Sequence, residues 1–196
     1  MNKMDLLGLL QEHGAVVHGH FQLASGLHSP VYVQPAMVLQ YPHVAQRIAK
    51  ALVAKCPQAI DVVIAPNMGS VVLGQEVARA KKCRAIFTER INGMMALRRD
   101  FRIDRGERAL VVQDVLTTGR LTAEIVLLAQ AYGAKVVGVG GIVDRSVTGL
   151  SLCVPVRTLI SYPLQVYSPD SCPQCAEGVP LRDASKNPAT GISEAE

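Results

Sequence analysis

The sequence predicts an α/β fold in which a mostly parallel central sheet carries helices on both faces. Several short runs are apolar throughout, as in strands of parallel sheets that are covered on both sides. Helical segments of about ten to fifteen residues separate these runs, which is typical of repeated strand–helix–strand units. A chain of 196 residues with 49% hydrophobic and 18% charged residues can also bury the core of one globular domain.

The predicted elements divide the chain into three parts. Residues 1–40 hold an N-terminal helix and, in "GHFQLASGLHSPVYVQ", short extended pieces that we expect to form a small hood over the sheet. Residues 41–167 form the α/β core, with helices at 41–55, 71–82 and 121–133 and strands at 62–65, 83–89, 109–115 and 135–144. Residues 168–196 are a tail rich in Ser, Pro, Cys and Asp that we expect to be disordered from about residue 186.

The spacing of apolar residues justifies these core elements in turn. Val44, Ile48 and Leu52 recur at helical spacing in "YPHVAQRIAKALVAK" and so share one apolar face. In "DVVIAPNMGS" a buried strand breaks into a Pro/Asn/Gly loop, and the helix in "LTAEIVLLAQAYGAK" ends near Gly133. Ligands of such sheets bind at the carboxyl ends of the strands, so a site is expected in the loops there.

Charge and cysteine content narrow the function classes. The net charge of +4 and isoelectric point near 8.9 suit an anionic small molecule and are too weak to predict a nucleic-acid partner. No apolar run approaches the roughly 18 residues of a membrane span, and the N-terminus has no signal-peptide pattern. Five cysteines, an odd number, favour a reducing compartment, and we expect a cytoplasmic protein.

The segment "ALVVQDVLTTGR", residues 109–120, predicts a cradle for a sugar phosphate. Gly119 allows a turn with exposed backbone N–H groups, the hydroxyls of Thr117 and Thr118 add donors, and a helix N-terminus follows. Asp114, at the strand end, is placed to accept hydrogen bonds from sugar hydroxyls. The alternative is a helix cap at Thr117 beside an ordinary turn residue at Asp114. Neither G-x-x-x-x-G-K-[ST] nor G-x-G-x-x-G occurs in the chain.

This segment resembles the phosphoribosyl diphosphate (PRPP) signature of the type I phosphoribosyltransferases. Further segments resemble orotate phosphoribosyltransferases: the hood piece "GHFQLASGLHSPVYVQ", the mobile loop "FTERINGMMALRRDF", the strand end "GIVDRS" and the C-terminal "CPQCAEGVPL". The resemblance covers roughly residues 5–182 in order. It implies the type I phosphoribosyltransferase fold and transfer of phosphoribosyl from PRPP to orotate, with Mg²⁺, in pyrimidine synthesis.

The resemblance also implies a set of site residues. Mg²⁺ is expected on PRPP oxygens and water, with no side chain as a direct ligand. The residues expected to bind PRPP are Gln113, Asp114, Val115, Leu116, Thr117, Thr118, Gly119, Arg120 and Leu121, with Asn67, Gly69 and Ser70 of the "PNMGS" loop. Those expected to bind orotate are Thr117, Arg145, Ser25 and Gly26. Those expected to be catalytic are Asp114, Arg90, Arg98 and Arg99.

Physical chemistry gives Arg145 two interpretations. Orotate is a planar acid, so a buried site needs a cation for its carboxylate, and a guanidinium can contact that carboxylate with two parallel hydrogen bonds. The alternative is a surface salt bridge between Arg145 and the neighbouring Asp144. Tyr32 of the hood could pack on a ring or simply fill the hood core.

Residues 89–108 contain six arginines, and the resemblance implies a hairpin in which Arg90 and one or both of Arg98 and Arg99 neutralise the departing diphosphate. Asn92 and Gly93 are the expected turn. The alternative is a hairpin whose charges only face solvent. The resemblance implies that this loop closes over the active site of the neighbouring subunit in a homodimer.

Three positions of the PRPP signature depart from the family pattern. Gln113 stands where a first acid is usual, and Arg120 and Leu121 follow the loop glycine where small or hydroxyl residues are common. If the missing acid limits the rate, Gln113→Glu should raise activity. A non-catalytic or weakly active PRPP-binding paralogue or regulator therefore stays an alternative. A purine phosphoribosyltransferase is another, although Arg145 and the hood favour an acidic pyrimidine.

Cys172 and Cys175 form an isolated C-x-x-C motif in the tail. Cys56, Cys83 and Cys153 have no partner spacing, so a structural turn is the first interpretation. Zinc binding with help from another chain and a redox function are the alternatives. Among the histidines, only His28, inside the hood segment, is expected to do more than pack at the surface or near the N-terminus.

Overall fold

The computed structural model describes residues 3–57, 59–66 and 68–184. The helices are α1 (Lys3–Glu12), α2 (Ala36–Leu39), α3 (Pro42–Val53), α4 (Met68–Lys81), α5 (Arg120–Ala131) and α6 (Pro173–Ala176). The strands are β1 (Val16–Gln22), β2 (His28–Val33), β3 (Val62–Ala65), β4 (Arg84–Ile91), β5 (Met94–Leu97), β6 (Arg108–Leu116), β7 (Lys135–Asp144), β8 (Val156–Ser161) and β9 (Arg182–Asp183). None of the helices in these ranges has the length and apolar character needed to cross a membrane.

The central sheet confirms the predicted fold class. Its six strands lie in the order β5-β4-β3-β6-β7-β8, and every neighbouring pair is parallel except the β4–β5 hairpin. All four residues of β3 are buried, as expected of a strand that is covered on both faces. The two sides of the sheet carry separate apolar clusters. Val63 and Leu110 belong to the cluster that includes residues of α1, α3 and α4, whereas Val62 and Val111 belong to the cluster that includes residues of α5 and the hairpin.

The strand order places a crevice between β3 and β6. The chain leaves β3 through α4 toward β4 on one side, and it leaves β6 through α5 toward β7 on the other. The two connections diverge, so the carboxyl ends of β3 and β6 border an open groove. Open α/β sheets bind their ligands at such a switch point.

The hood is a second, three-stranded sheet in the order β2-β1-β9. β1 and β2 are antiparallel, and β9 from the tail adds to β1 in parallel. The predicted hood at 1–40 therefore includes a strand from the predicted tail, and residues 168–184 pack against it. The expected disorder from about residue 186 lies outside the described residues.

β8 and the start of α4 differ from the sequence prediction. β8 was not predicted, because it is a sheet-edge strand that follows Pro155 and has only one buried residue, Ile160. α4 begins at Met68 rather than at residue 71, since Gly69 and Ser70 are tolerated in a first helical turn.

Candidate active site

The crevice is closed on one side by a contact between β6 and α4. The Ser70 hydroxyl donates to Asp114 Oδ1 at 2.9 Å, and the Asp114 backbone N–H donates back to Ser70 Oγ at 3.2 Å. Ser70 is fully buried, so this pair fixes the carboxylate at the groove. Burial raises the pKa of Asp114, and the hydrogen bond from Ser70 acts in the opposite direction.

Gln113 has both ends of its side-chain amide engaged inside the protein. Its Nε2 donates to the Val115 carbonyl at 2.9 Å, and its Oε1 accepts from the Thr122 hydroxyl at 2.8 Å. Gln113 and Thr122 are both buried. The sequence predicts that Gln113 binds PRPP. In the structure, its side-chain amide connects β6 to α5 through the hydrogen bond with Thr122.

The predicted phosphate loop joins β6 to α5. Gly119 has a left-handed backbone, with φ 76°, and a Cβ there would come within 3.2 Å of Leu150 Cδ2, so the turn requires glycine. Thr117 and Thr118 are exposed, and Thr118 Oγ1 accepts weakly from the Arg120 N–H at 3.4 Å. Their hydroxyls and the first N–H groups of α5 therefore face an accessible surface that can bind an anion.

Neighbours of this loop divide between core and surface. The Leu116 side chain is fully buried and its carbonyl accepts from the Arg145 N–H at 2.8 Å, so its side chain belongs to the core. Arg120 is exposed, and Leu121 packs partly against the apolar cluster below α5. The helix-cap alternative at Thr117 is not supported, because Gly119 is the N-cap residue.

Arg145 is the most unusual cation of the crevice. It is only 8% exposed, and its Nε is the one buried side-chain nitrogen or oxygen without a hydrogen-bond partner in the described part of the chain. Asp144, its alternative partner, instead accepts from the backbone and hydroxyl of Ser146, at 2.9 and 2.6 Å. Burial lowers the pKa of Arg145. A buried guanidinium with an unmet N–H donor is suited to an anionic ligand.

Tyr32 brings the hood to this crevice. Its phenol lies within electrostatic reach of both Asp114 and Arg145. Burial makes the largest contribution to the raised pKa of Tyr32; the negative charge of Asp114 raises this pKa further, and the positive charge of Arg145 lowers it. Its ring also packs beside Phe21, with centroids 5.9 Å apart. The hood turn at Ser25 and Gly26 is exposed or half-buried, with Gly26 at φ 80°. Both alternatives for Tyr32 thus have support, since one ring fills the hood and borders the site.

The β4–β5 hairpin turns at Asn92 and Gly93, as predicted. Both have positive φ, 48° and 84°, as in the two-residue turn that suits a twisted hairpin. Arg90 donates to the Gly93 carbonyl and to Glu124 Oε2 of α5, the latter at 3.0 Å. Glu124 Oε1 also accepts from the Met95 N–H at 2.7 Å, which anchors the hairpin to α5.

The loop after β5 holds the other two predicted arginines. Arg99 donates to Glu89 Oε1 at 2.7 Å and lies over the Phe87 ring. Arg98 is exposed, with no side-chain hydrogen bond or ion pair to other described residues. Arg99 and Asp100 both have φ 58°, a conformation that non-glycine residues adopt at a cost.

Two cavities lie between this hairpin and the phosphate loop. One of about 450 Å³ includes Arg90, Arg99 and Leu121 in its lining. A wider one of about 790 Å³ includes Thr118 and Arg120. Neither includes Asp114 or Arg145, so the cavities mark the side of the site where the arginines are.

The remaining predicted residues lie at the start of α4 or outside the described residues. Gly69 and Ser70 are in the first turn of α4, where backbone N–H groups point out of the end of the helix. Asn67, also predicted to bind PRPP, is outside the described residues.

The carboxylate of Asp114 and the open groove fit an Mg²⁺ ion held largely by ligand oxygens and water.

Sequence reasoning missed one cluster. His20 and His28 of the hood lie beside Cys172 and Cys175 of the tail, with their ligand atoms all within 4.8 Å of one another. The C-x-x-C motif was the only sequence signal, and the two histidines lie at unremarkable spacing in β1 and β2.

Comparisons with known proteins agree with this geometry. A scan against models of protein families found no match. A protein of Caldicellulosiruptor saccharolyticus named orotate phosphoribosyltransferase is 46% identical over 182 residues, which cover 92% of this chain and 95% of its own. The protein of that name from Thermotoga petrophila is 44% identical over 174 residues, 88% of this chain and 92% of its own.

Solved structures share the fold at lower identity. The orotate phosphoribosyltransferase of Aeropyrum pernix has a TM-score of 0.67 at 22% identity and covers 80% of this chain and 93% of its own. An adenine phosphoribosyltransferase from Rhodothermus marinus has a TM-score of 0.64 at 21% identity, over 82% and 100%. Because the fold serves both bases, the identity of the base depends on the side chains of the crevice.

Proposed function

The chain belongs to the orotate phosphoribosyltransferase family, and we propose that its β3/β6 crevice carries out the reaction that the family is named for. The 5-phosphoribosyl group of PRPP is transferred to orotate, which gives orotidine 5′-monophosphate and diphosphate in pyrimidine synthesis. The observation that carries the proposal is Arg145, a buried guanidinium with an unmet donor beside the phosphate loop. A neutral purine offers no carboxylate to this group.

Each part of the crevice supports one step of substrate binding. Thr117, Thr118 and the N–H groups that begin α5 receive the 5-phosphate. Asp114, held by Ser70, accepts hydrogen bonds from the ribose hydroxyls. Arg145 binds the orotate carboxylate, and the hood turn at Ser25 and Gly26 covers the ring.

Catalysis requires that negative charge leaving with the diphosphate is neutralised and that water is excluded. We assign Arg90, Arg98 and Arg99 to the diphosphate because Arg90 and Arg99 line the cavity on the hairpin side of the site and Arg98 is exposed next to Arg99. The oxocarbenium-like ribose then lies near the Asp114 carboxylate, whose charge stabilises it. If Mg²⁺ binds beside the Asp114 carboxylate together with substrate and water, it would supply further positive charge for the leaving diphosphate.

The test is turnover by the purified protein with PRPP and Mg²⁺. Loss of orotate absorbance with equimolar release of diphosphate is the expected result, with adenine as the comparison base. Binding of PRPP without turnover of any base would identify a regulator or inactive paralogue. Faster turnover of adenine than of orotate would identify a purine enzyme.

We further propose that the hairpin acts across a homodimer. Support comes from its exposed apolar residues, Met94 on β5 and Leu127 on the adjoining α5. An Arg98→Ala/Arg99→Ala variant and an Asp114→Asn variant, each impaired alone, should complement when their chains are mixed. Half of a random mixture is hybrid and each hybrid has one intact site, so about a quarter of parental activity is expected. Hybrids that form without recovery would show that the hairpin serves its own chain.

A cytoplasmic location is also proposed. The thiol of Cys153 is exposed, and all five cysteines are free thiols in the structure, as suits a reducing compartment. Fractionation of cells that express the tagged protein tests this, and recovery with the membrane or secreted fraction would contradict it.

A further inference from the structure

We propose that His20, His28, Cys172 and Cys175 form a structural zinc site that joins the hood to the C-terminal tail. His20 and His28 come from β1 and β2, and the cysteines flank the start of the short helix α6. His20, His28 and Cys172 are buried, with exposed fractions of 1, 3 and 4%. The site is separate from the crevice, and the inference does not depend on the proposed reaction.

The distances match a tetrahedral zinc site. His20 Nε2 lies 3.1 Å from His28 Nδ1 and 3.4 Å from Cys172 Sγ. Cys175 Sγ lies 3.7 Å from His20 Nε2 and 3.3 Å from His28 Nδ1. Zinc bonds of about 2.1 Å to nitrogen and 2.3 Å to sulfur place two nitrogens about 3.4 Å apart and a nitrogen and a sulfur about 3.6 Å apart. One ion therefore reaches all four atoms with small adjustments.

A second contact prepares His20 as a ligand. Its Nδ1 lies 2.8 Å from the Val179 carbonyl oxygen, which can only accept a hydrogen bond. The proton is therefore on Nδ1, and Nε2 presents its lone pair to the centre of the cluster. Metal-binding histidines usually have such a carbonyl or carboxylate on the other ring nitrogen.

The ligand set favours zinc over other divalent ions. Two thiolates and two imidazoles are the ligands of tetrahedral structural zinc, whereas Mg²⁺ and Ca²⁺ prefer oxygen. Four protein ligands leave no position open for substrate, so a structural function is expected rather than a catalytic one. The C-x-x-C spacing, here Cys172 and Cys175, is also that of many zinc sites.

The site lies at the junction between the hood and the tail, where a bound metal would hold the two together. His20 and His28 flank the turn that contains Ser25 and Gly26, and the cysteines precede β9, which pairs with β1 at Phe21. Contacts between β1 and β9 are few, because β9 has only two residues. A metal bond across this junction would fix both the tail and the base of the turn that covers the crevice.

The first experiment measures metal bound to the full-length protein purified under reducing conditions and incubated with Zn²⁺. About one zinc per chain is expected after removal of free metal. Cys172→Ser, Cys175→Ser and His20→Asn should each lower the zinc affinity at least 100-fold, whereas Cys153→Ser, an exposed cysteine away from the cluster, should not change it. Failure of the parent protein to retain zinc would overturn the proposal, as would equal binding by Cys172→Ser and the parent.

Substitution with Co²⁺ tests the ligands directly and does not require that the variants be fully stable. The parent should show intense visible bands of tetrahedral Co²⁺ and a sulfur-to-cobalt charge-transfer band. The charge-transfer band should weaken in Cys175→Ser and persist in Cys153→Ser. A spectrum of six-coordinate cobalt, or a Cys172–Cys175 disulfide in reduced, zinc-treated protein, would exclude the site.

A stability measurement separates a structural metal from one that binds by chance. Chelation of zinc should lower the melting temperature of the parent and leave that of the Cys172→Ser variant unchanged. An adventitious ion would give equal melting temperatures with and without chelator in both proteins.

Discussion

The β3/β6 crevice differs from the β4–β5 hairpin and the loop after it in how its cations are held. Both regions offer cations to an anionic substrate. Arg145 in the crevice is buried, and its Nε has no hydrogen-bond partner among the described residues. Arg90 and Arg99 in the hairpin are half exposed or more and are paired with Glu124 and Glu89. Arg145 can therefore bind an anionic ligand without breaking an ion pair. Arg90 and Arg99 must each leave a glutamate before they can bind one.

This difference shows where specificity and motion lie. A buried cation contributes several kcal/mol when it gains a partner, so the crevice selects the base. Exposed ion pairs contribute about 0 to 1 kcal/mol and break easily, so the hairpin can move onto the diphosphate at little cost. The strained backbone at Arg99 and Asp100 is consistent with a loop that changes conformation.

The largest effect is expected from Arg145→Ala. Removal of a desolvated charge partner should weaken orotate binding by about 2 to 5 kcal/mol, with PRPP binding changed little. Calorimetric titration with each ligand measures this, and Arg157→Ala, an exposed arginine near the start of β8, is the control. Equal losses for both ligands would remove Arg145 from the orotate site.

Asp114→Asn should lower kcat/KM about 10- to 100-fold, because charge-assisted hydrogen bonds to ribose are worth about 1.5 to 3 kcal/mol. Steady-state kinetics with PRPP and orotate measure this loss.

The same substitution should change the stability of the ligand-free protein in a way that depends on pH. Burial raises the pKa of Asp114, so its protonated form stabilises the fold at low pH, and this stability is lost as pH rises through the folded-state pKa.

The Asp114→Asn variant should therefore match the parent in melting temperature at about pH 4 and exceed it at about pH 8. Glu12→Gln, an exposed carboxylate on α1, is the control and should show no such crossover. A variant that is less stable than the parent at about pH 8 would contradict the buried-charge explanation.

Gln113→Glu should lower stability by about 1 to 3 kcal/mol and should not raise activity. The sequence alone suggests a gain, but a carboxylate cannot donate to the Val115 carbonyl that Gln113 Nε2 contacts. Chemical denaturation measures the loss, with the exposed Gln75→Glu as the control. A faster enzyme would show that residue 113 reaches the ribose after all.

The smallest effect is expected from Glu124→Gln, which loosens the anchor of Arg90. The KM for PRPP should change by no more than about fivefold, since the Arg90–Glu124 pair is exposed. Steady-state kinetics measure this, and Glu76→Gln, which breaks the Arg79 pair on α4, is the control. A change far beyond fivefold would mean that the hairpin is fixed rather than mobile.

The sequence predicted what local chemistry determines. The β6 strand, the Gly119 turn and the Asn92–Gly93 turn all follow from residues within a few positions of one another. Contacts between distant segments could not be predicted from the sequence. Ser70 and Asp114 are 44 positions apart, and His20 and Cys172 are 152 positions apart. Because neighbouring side chains of a strand point to opposite faces, Gln113 and Asp114 cannot both face the groove, and the sequence does not indicate which of them does.

The function of Arg145 is tested by comparing orotate with uracil, the same ring without the carboxylate, as substrates of the parent and of Arg145→Ala. If Arg145 binds that carboxylate, the parent should prefer orotate in kcat/KM, and the substitution should reduce this preference by about 100-fold or more. An equal preference for orotate in both proteins would show that Arg145 does not bind the carboxylate.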